Sequence, residues 1–578
     1  MRRRFYFVMC FLVTAFCLTL VLTSMFSSEA SGKKKKKAQK TTVTVRPFGP
    51  TQEQLDNASE RVLNHPNVQK FLSGTKYRQM SFGTIDPESK NGERVAPTQF
   101  RAVYYDYTNN RAVVAEGMVN DLTNVTVTES FEQPHADPAE FEEAVRILKT
   151  DKEFAAKIQN KSLSIYEPMP PVLYPSRTGE RVERTVNVGL TAGDKTETSE
   201  IVGVNMIRGT IVRYENNAPP TSMATEGSCG ISSGSGGSTS NGTAGQFQIQ
   251  VTQGPSMIWD YLVIRPSASS GNSSERSGIE IRDVKYKGKM VLKRGHAPIL
   301  NVQYLPLPGQ GSCGPYRDWQ YQEGAFQTPD GSTDVAAGVR MCPSPATTAL
   351  DTGNDNGNFR GVAIYTQNNE TVMVSEMNAG WYRYIMEWRL GNDGTIRPRY
   401  GFGATTNSCV CIRHHHHVYW RFDFDVVNAN NKVYRTEIPK KLSDRGGWQP
   451  VTTEVHINRS YQTKRSFIIK NGSGNEAYAF FPNITDGFTD TYGHGDVWFL
   501  RYKETGGVPD ELNDPNTSTA ANINPWLTNE SIDNQDIVIW YAGHFIHEDG
   551  NNLLSPDRNG EVLTGSHVIG PDLIPMNW

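Results

Sequence analysis

A chain of 578 residues is long enough for two to four domains and a large core. Its formal charge of -3, with no basic stripe interleaved with aromatics through the body, argues against nucleic acid as a partner. Plentiful Gly, Pro, Tyr and Trp, with short alternating apolar runs, predict a mainly β protein.

The chain opens with MRRR and an uncharged run of 22 residues, Phe5 to Phe26, long enough to span a bilayer. Ser28-Glu29-Ala30 offers a small-x-small cleavage site, so residues 1–30 are expected to be a signal peptide or an uncleaved signal anchor. Lys33 to Lys37 outnumber Arg2 to Arg4 and by the positive-inside rule would keep the body in the cytosol. Eleven N-x-S/T sequons outweigh that signal: Asn57, Asn124, Asn160, Asn241, Asn272, Asn369, Asn458, Asn471, Asn483, Asn516 and Asn529. The expectation is a glycosylated body on the lumenal or extracellular side, secreted or held through residues 5–26. Residues 31–48 read as a basic linker without fixed structure.

Two small α+β units are expected at 49–132 and 133–217. In the first, TQEQLDNASERVLNHPNVQKFL reads as helix before the strands QFRAVYYDY and RAVVAEGMV. In the second, ADPAEFEEAVRILKTDKEFAAKIQ reads as helix, with Asp137 as N-cap before Pro138. The shared plan suggests a duplication. A Gly/Ser-rich connector, 227–246, leads into the body of a large β-sandwich domain, 218–578. Outside the apolar start, Cys229, Cys313, Cys342, Cys409 and Cys411 are odd in number, so at least one is free or pairs between chains.

The stretch CVCIRHHHHVYWRFDFDV carries the densest chemistry. As a strand it places His414 and His416 on one face with Val418, Trp420, Phe422 and Phe424, the face expected to be buried. The other face, with His415, His417, Tyr419, Arg421, Asp423 and Asp425, reads as polar and partly wet. Two imidazoles turned into an apolar interior need partners. A metal and a hydrogen-bonded histidine run are the two readings. In DIVIWYAGHFIH, His547 shares a face with Ile537, Ile539, Tyr541 and Phe545, and would complete a three-imidazole site for copper or zinc.

HHHHVYWRFD resembles the ligand strand of the copper-dependent, quinone-containing amine oxidases, and DIVIWYAGHFIH resembles the strand bearing that family's third copper histidine. GPSMIWDY, GIEIRDVKYKGKMVLKR and HAPILNVQY are similar to the start of its catalytic domain and SHVIGPDLIPMNW to its end, so the likeness covers nearly everything after residue 50. The resemblance implies copper on His414, His416 and His547, the two α+β units as the family's second and third domains, and a homodimer. It implies that Tyr382 is oxidised in place to topaquinone, that Asp318 is the base taking a proton from the substrate, and that Tyr304 hydrogen-bonds the quinone. It also implies a second, calcium-like ion held by Asp423, Asp425 and Asp536 with the carbonyls of Phe424 and Ile537. The family's T-x-x-N-Y-D/E becomes Asn378-Ala379-Gly380-Trp381-Tyr382-Arg383 here, and its D-x-G-E-Y/F-G becomes Asp318-Trp319-Gln320-Tyr321-Gln322-Glu323.

The implied activity is oxidation of a primary amine by O₂ to an aldehyde, with release of ammonia and hydrogen peroxide. Two alternatives remain: a copper-binding extracellular relative that has lost the quinone, and a zinc hydrolase or hydratase on the same three histidines.

Overall fold

The computed structural model describes residues 40–578 except 86–93, 132, 135, 167–182, 193–196, 198–199, 214–229, 232–244, 271–275, 305–315, 406–409, 411–413, 438–446, 484–485, 488, 490–492, 506–507, 510–521 and 548–568. The expected signal segment, residues 31–39 of the basic linker and nearly all of the Gly/Ser connector lie outside the described residues. So does every cysteine except Cys342, a buried free thiol. No helix among the described residues is long and apolar enough to cross a membrane.

Both α+β units have the same order, two helices and then four antiparallel strands in sequence. The single helix expected over 51–72 is two helices, Gln52–Leu63 and Pro66–Leu72. Pro66 lacks an N–H and opens the second, and the His65 side chain caps it by accepting from the Asn67 amide. The first is opened by a capping box between Thr51 and Gln54. Leu55, Val62, Val68 and Leu72 pack against Phe100, Tyr104 and Val113 of the sheet that starts at Tyr77–Ile85. In the second unit Asp137 caps Pro138–Leu148, accepting from the Glu140 amide at 2.6 Å as the sequence predicts, and Ala144 and Leu148 meet Val186, Val188 and Val202.

The remainder is built from two large sheets, of ten and eleven strands, whose facing sides share one apolar core. The central strands of the first sheet are Lys289–Tyr304, His414–Phe424 and Ile537–His547, adjacent and antiparallel. In the second, Glu370–Ala379, Tyr382–Gly391 and Ile396–Ala404 run as a meander. Trp420 and Phe422 from one sheet meet Trp388, Tyr400 and Phe480 from the other edge to face, at ring-centre distances between 5.4 and 6.4 Å.

Thr41–Pro47 is not linker but the outermost strand of the ten-stranded sheet, paired in register with Gln246–Gln253. The second face of the histidine strand is not wet either. His417, Tyr419 and Arg421 are fully buried and Asp423 nearly so: Trp540 and Trp498 flank them on the neighbouring strands of the same sheet, and the turn at Asn524–Trp526 packs onto those tryptophans.

Candidate functional site

Three of the residues singled out in the sequence stand side by side across three strands. Tyr304 pairs in register with His414, and His414 pairs on its other side with His547. The side chains of Tyr304 and His547 lie outside the described part of the structure. His414 and His416 both point into the core and are fully buried, with ring centres 5.0 Å apart. Phe402 and Phe545, whose ring centres are 4.4 Å apart, both pack against the His416 ring, at 4.2 and 5.3 Å. Contact with those two rings restricts how the imidazole can turn.

The opposite sheet brings Tyr382 and Tyr384 to the same spot. They sit at i and i+2 on the strand after a two-residue turn, so both rings face inward, 5.5 Å apart and nearly parallel. The Tyr382 hydroxyl is hydrogen-bonded to His414 Nε2, and its ring stands edge-on to His416 at 4.6 Å. The Tyr384 hydroxyl donates to Asp318 Oδ2 and lies 3.3 Å from His416 Nδ1. A hydrogen bond from that Nδ1–H to the phenol oxygen would leave Nε2 as the lone pair available to a metal.

Asp318 reaches this cluster from the chain just after the short strand Tyr316–Arg317, with its amide donating to the Leu300 carbonyl. Burial pushes its carboxyl up to about 7, and the Tyr384 hydrogen bond pulls the other way. Its neighbour Gln320 spans the region, donating to the Ala297 carbonyl at 2.6 Å and accepting from Tyr400 at 3.0 Å. The functional partner that sequence reading missed is Tyr384. Its inward face was legible from the two-residue period, but its contact with Asp318 crosses 66 positions.

The residues present fit a metal centre. Buried imidazoles suit copper or zinc, a third histidine sits in register beside His414, and the Tyr382 phenol oxygen lies against His414 Nε2.

At the other end of the same strand pair, ten residues and ~33 Å away, Asp423, Asp425 and Asp536 offer oxygen atoms all within 4.8 Å of one another. Phe424 and Ile537 are register partners there, which brings their carbonyls to the same strand ends. Among the described residues this is the one such group of three. Two unit negative charges at that spacing repel by about 3 kcal/mol at an effective dielectric of ~20. A bound cation would reverse that sign.

On the outer face His417 Nδ1 and His544 Nδ1 are 2.8 Å apart, and His544 Nε2 lies 2.9 Å from the Gly495 carbonyl and 3.3 Å from Asp496. The four-histidine run is thus split: two imidazoles face the tyrosines, and His417 belongs to a separate buried network.

Sequence comparison finds no matching protein family and no matching curated protein. Structure comparison finds the same fold in solved proteins. A copper-containing benzylamine oxidase from Hansenula polymorpha is 12% identical, with 94% of each chain covered and a TM-score of 0.50. The Aspergillus nidulans amine oxidase is 13% identical over 92% of this chain and 88% of that one, at 0.54. The Pichia pastoris lysyl oxidase is 11% identical over 95% and 92%, at 0.52. At such identities the likeness establishes the fold, and the chemistry rests on the residues.

Proposed function

We propose that this protein is a copper- and topaquinone-dependent primary amine oxidase, with the quinone derived from Tyr382. The observation that carries the reading is the Tyr382 hydroxyl resting on His414 Nε2 between two buried histidines. His414, His416 and His547 would hold copper. Bound copper and the quinone supply the carbonyl electrophile and the electron sink for the amine and for O₂. The chain's own work is acid–base and positional. Asp318, poised near neutral pH by burial, takes the proton from the substrate carbon, and Tyr384 orients its carboxylate. Phe402 and Phe545 help keep the centre dry. A calcium-like ion at Asp423, Asp425 and Asp536 ties the far strand ends, and the body works as a homodimer on the extracellular side, secreted or anchored.

The second reading is a copper-binding extracellular protein without the quinone. Trp381 and Arg383, which replace the residues flanking the tyrosine in the family pattern, favour it. Peroxide release from copper-loaded protein offered simple primary amines separates the two. Turnover abolished by Tyr382→Phe is expected. Copper bound by wild type with no peroxide from any amine would leave only the second reading.

A further inference from the structure

Arg383 stands where the family pattern puts an acidic residue, and its surroundings show what it does. Ala379 and Tyr382 are paired across the two-residue turn Gly380-Trp381, with Gly380 at a φ of 58°. Positive φ at the first central position suits glycine and gives a tight hairpin, so Tyr382 begins its strand immediately after the turn. A shift of that turn moves the phenol directly.

The Arg383 guanidinium folds back over this turn. Nη1 donates to the Gly380 carbonyl at 3.1 Å and to the Tyr382 carbonyl at 2.9 Å. Nε and Nη2 grip Asp355 with both oxygens, at 2.6 and 2.8 Å. Both side chains are mostly buried, each with 11% of its surface exposed. The remaining carbonyl, that of Trp381, accepts from the Thr405 amide at 2.7 Å. All three carbonyls around Tyr382 are therefore held, two of them by one planar cation whose own orientation is set by a bidentate carboxylate. The short helix Ala349–Thr352, which precedes Asp355 in the chain, is tied to the strand before the turn, its Ala349 amide donating to buried Glu376.

We infer that Arg383, clamped by Asp355, is a positioning residue for Tyr382: it locks the hairpin so that the phenol stays against His414. The inference deepens the oxidase reading but its physical content, the rigidity of one turn, is independent of it. A lysine could not replace the arginine, because one ammonium cannot hold the carboxylate on two atoms and the carbonyls as well.

The test uses the full chain as Arg383→Met, Arg383→Lys, Asp355→Asn and the Arg383→Met/Asp355→Asn double variant. Hydrogen exchange of the 379–384 and 404–405 amides is followed in metal-free protein, and the phenylhydrazine adduct on the Tyr382 peptide in copper-loaded protein. All variants should speed exchange at the hairpin at least tenfold, leave the amides of the two small units unchanged, and cut adduct yield severalfold at undiminished copper content. The double variant should match the singles, since each breaks the same clamp. Exchange at the wild-type rate, or full recovery in Arg383→Lys, would overturn the inference. Faster exchange with no adduct even in wild type would uphold the clamp and refute the oxidase reading instead. If Arg383→Met does not fold, Asp355→Asn, which keeps the guanidinium but removes the carboxylate that aims it at the two carbonyls, decides by the same exchange readout.

Discussion

Asp318 and Tyr384 make the sharpest residue-level claim. A base works only when ionised, so a carboxyl pushed up to about 7 predicts kcat/KM falling as pH drops through that value. Asp318→Asn should lower turnover by ~10²–10⁴-fold without loss of copper. In Tyr384→Phe the donor that favours the carboxylate is gone, so the acid limb should move to higher pH; a limb that stays in place would show that Tyr384 does not act on Asp318. Glu376 gives a stability counterpart. It is buried, its Oε1 has no hydrogen-bond partner among the described residues, and burial pushes its carboxyl up to about 8. The native state then binds more protons than the unfolded one between roughly pH 4.5 and 8, so this group's contribution weakens as pH rises through that window. Glu376→Gln, which keeps a neutral group of the same shape, should melt several degrees above wild type at pH 9 and close to it at pH 5. Equal melting at both values would mean that the carboxyl ionises without cost.

At the scale of elements, strand alternation was the most informative signal and also marks where legibility stopped. It correctly sent His414, His416, Trp420, Phe422 and Phe424 into the core, because a two-residue period is local and unambiguous. It failed on the other face, because the apolar residues that flank it on the neighbouring strands, Trp498 and Trp540, lie some 80 to 120 positions later and nothing local announces them. Thr41–Pro47 was missed for the same reason: seven residues beside a lysine run look like linker until Gln246–Gln253 supplies the partner. The carboxylates at the strand ends give the element-level prediction. Calcium should raise the melting temperature of wild type and not of Asp425→Ala, and a chelator should lower it, since an ion that binds only the folded pair stabilises by mass action. An identical calcium response in the variant would place any bound ion elsewhere.

At the scale of the molecule, the two α+β units and the large sandwich were legible as classes of pattern, and the sheet order was not, since pairings such as His414 with His547 span more than a hundred residues. The extracellular proposal can be checked on the same surface. Asn57, Asn124, Asn160, Asn369, Asn458 and Asn529 are exposed, whereas Asn471 is 95% buried, its amide directed to Glu476. Protein made through a secretory pathway should carry glycans among the exposed six and none at Asn471. Unmodified asparagines at all six would argue against that route.

The central claim is that Tyr382, held against His414, becomes a quinone. Aerobic copper-loaded protein treated with phenylhydrazine should develop a visible band, and mass spectrometry should place the adduct on the peptide containing Tyr382, with neither seen in Tyr382→Phe. Protein that binds copper fully and returns Tyr382 unmodified would contradict the account.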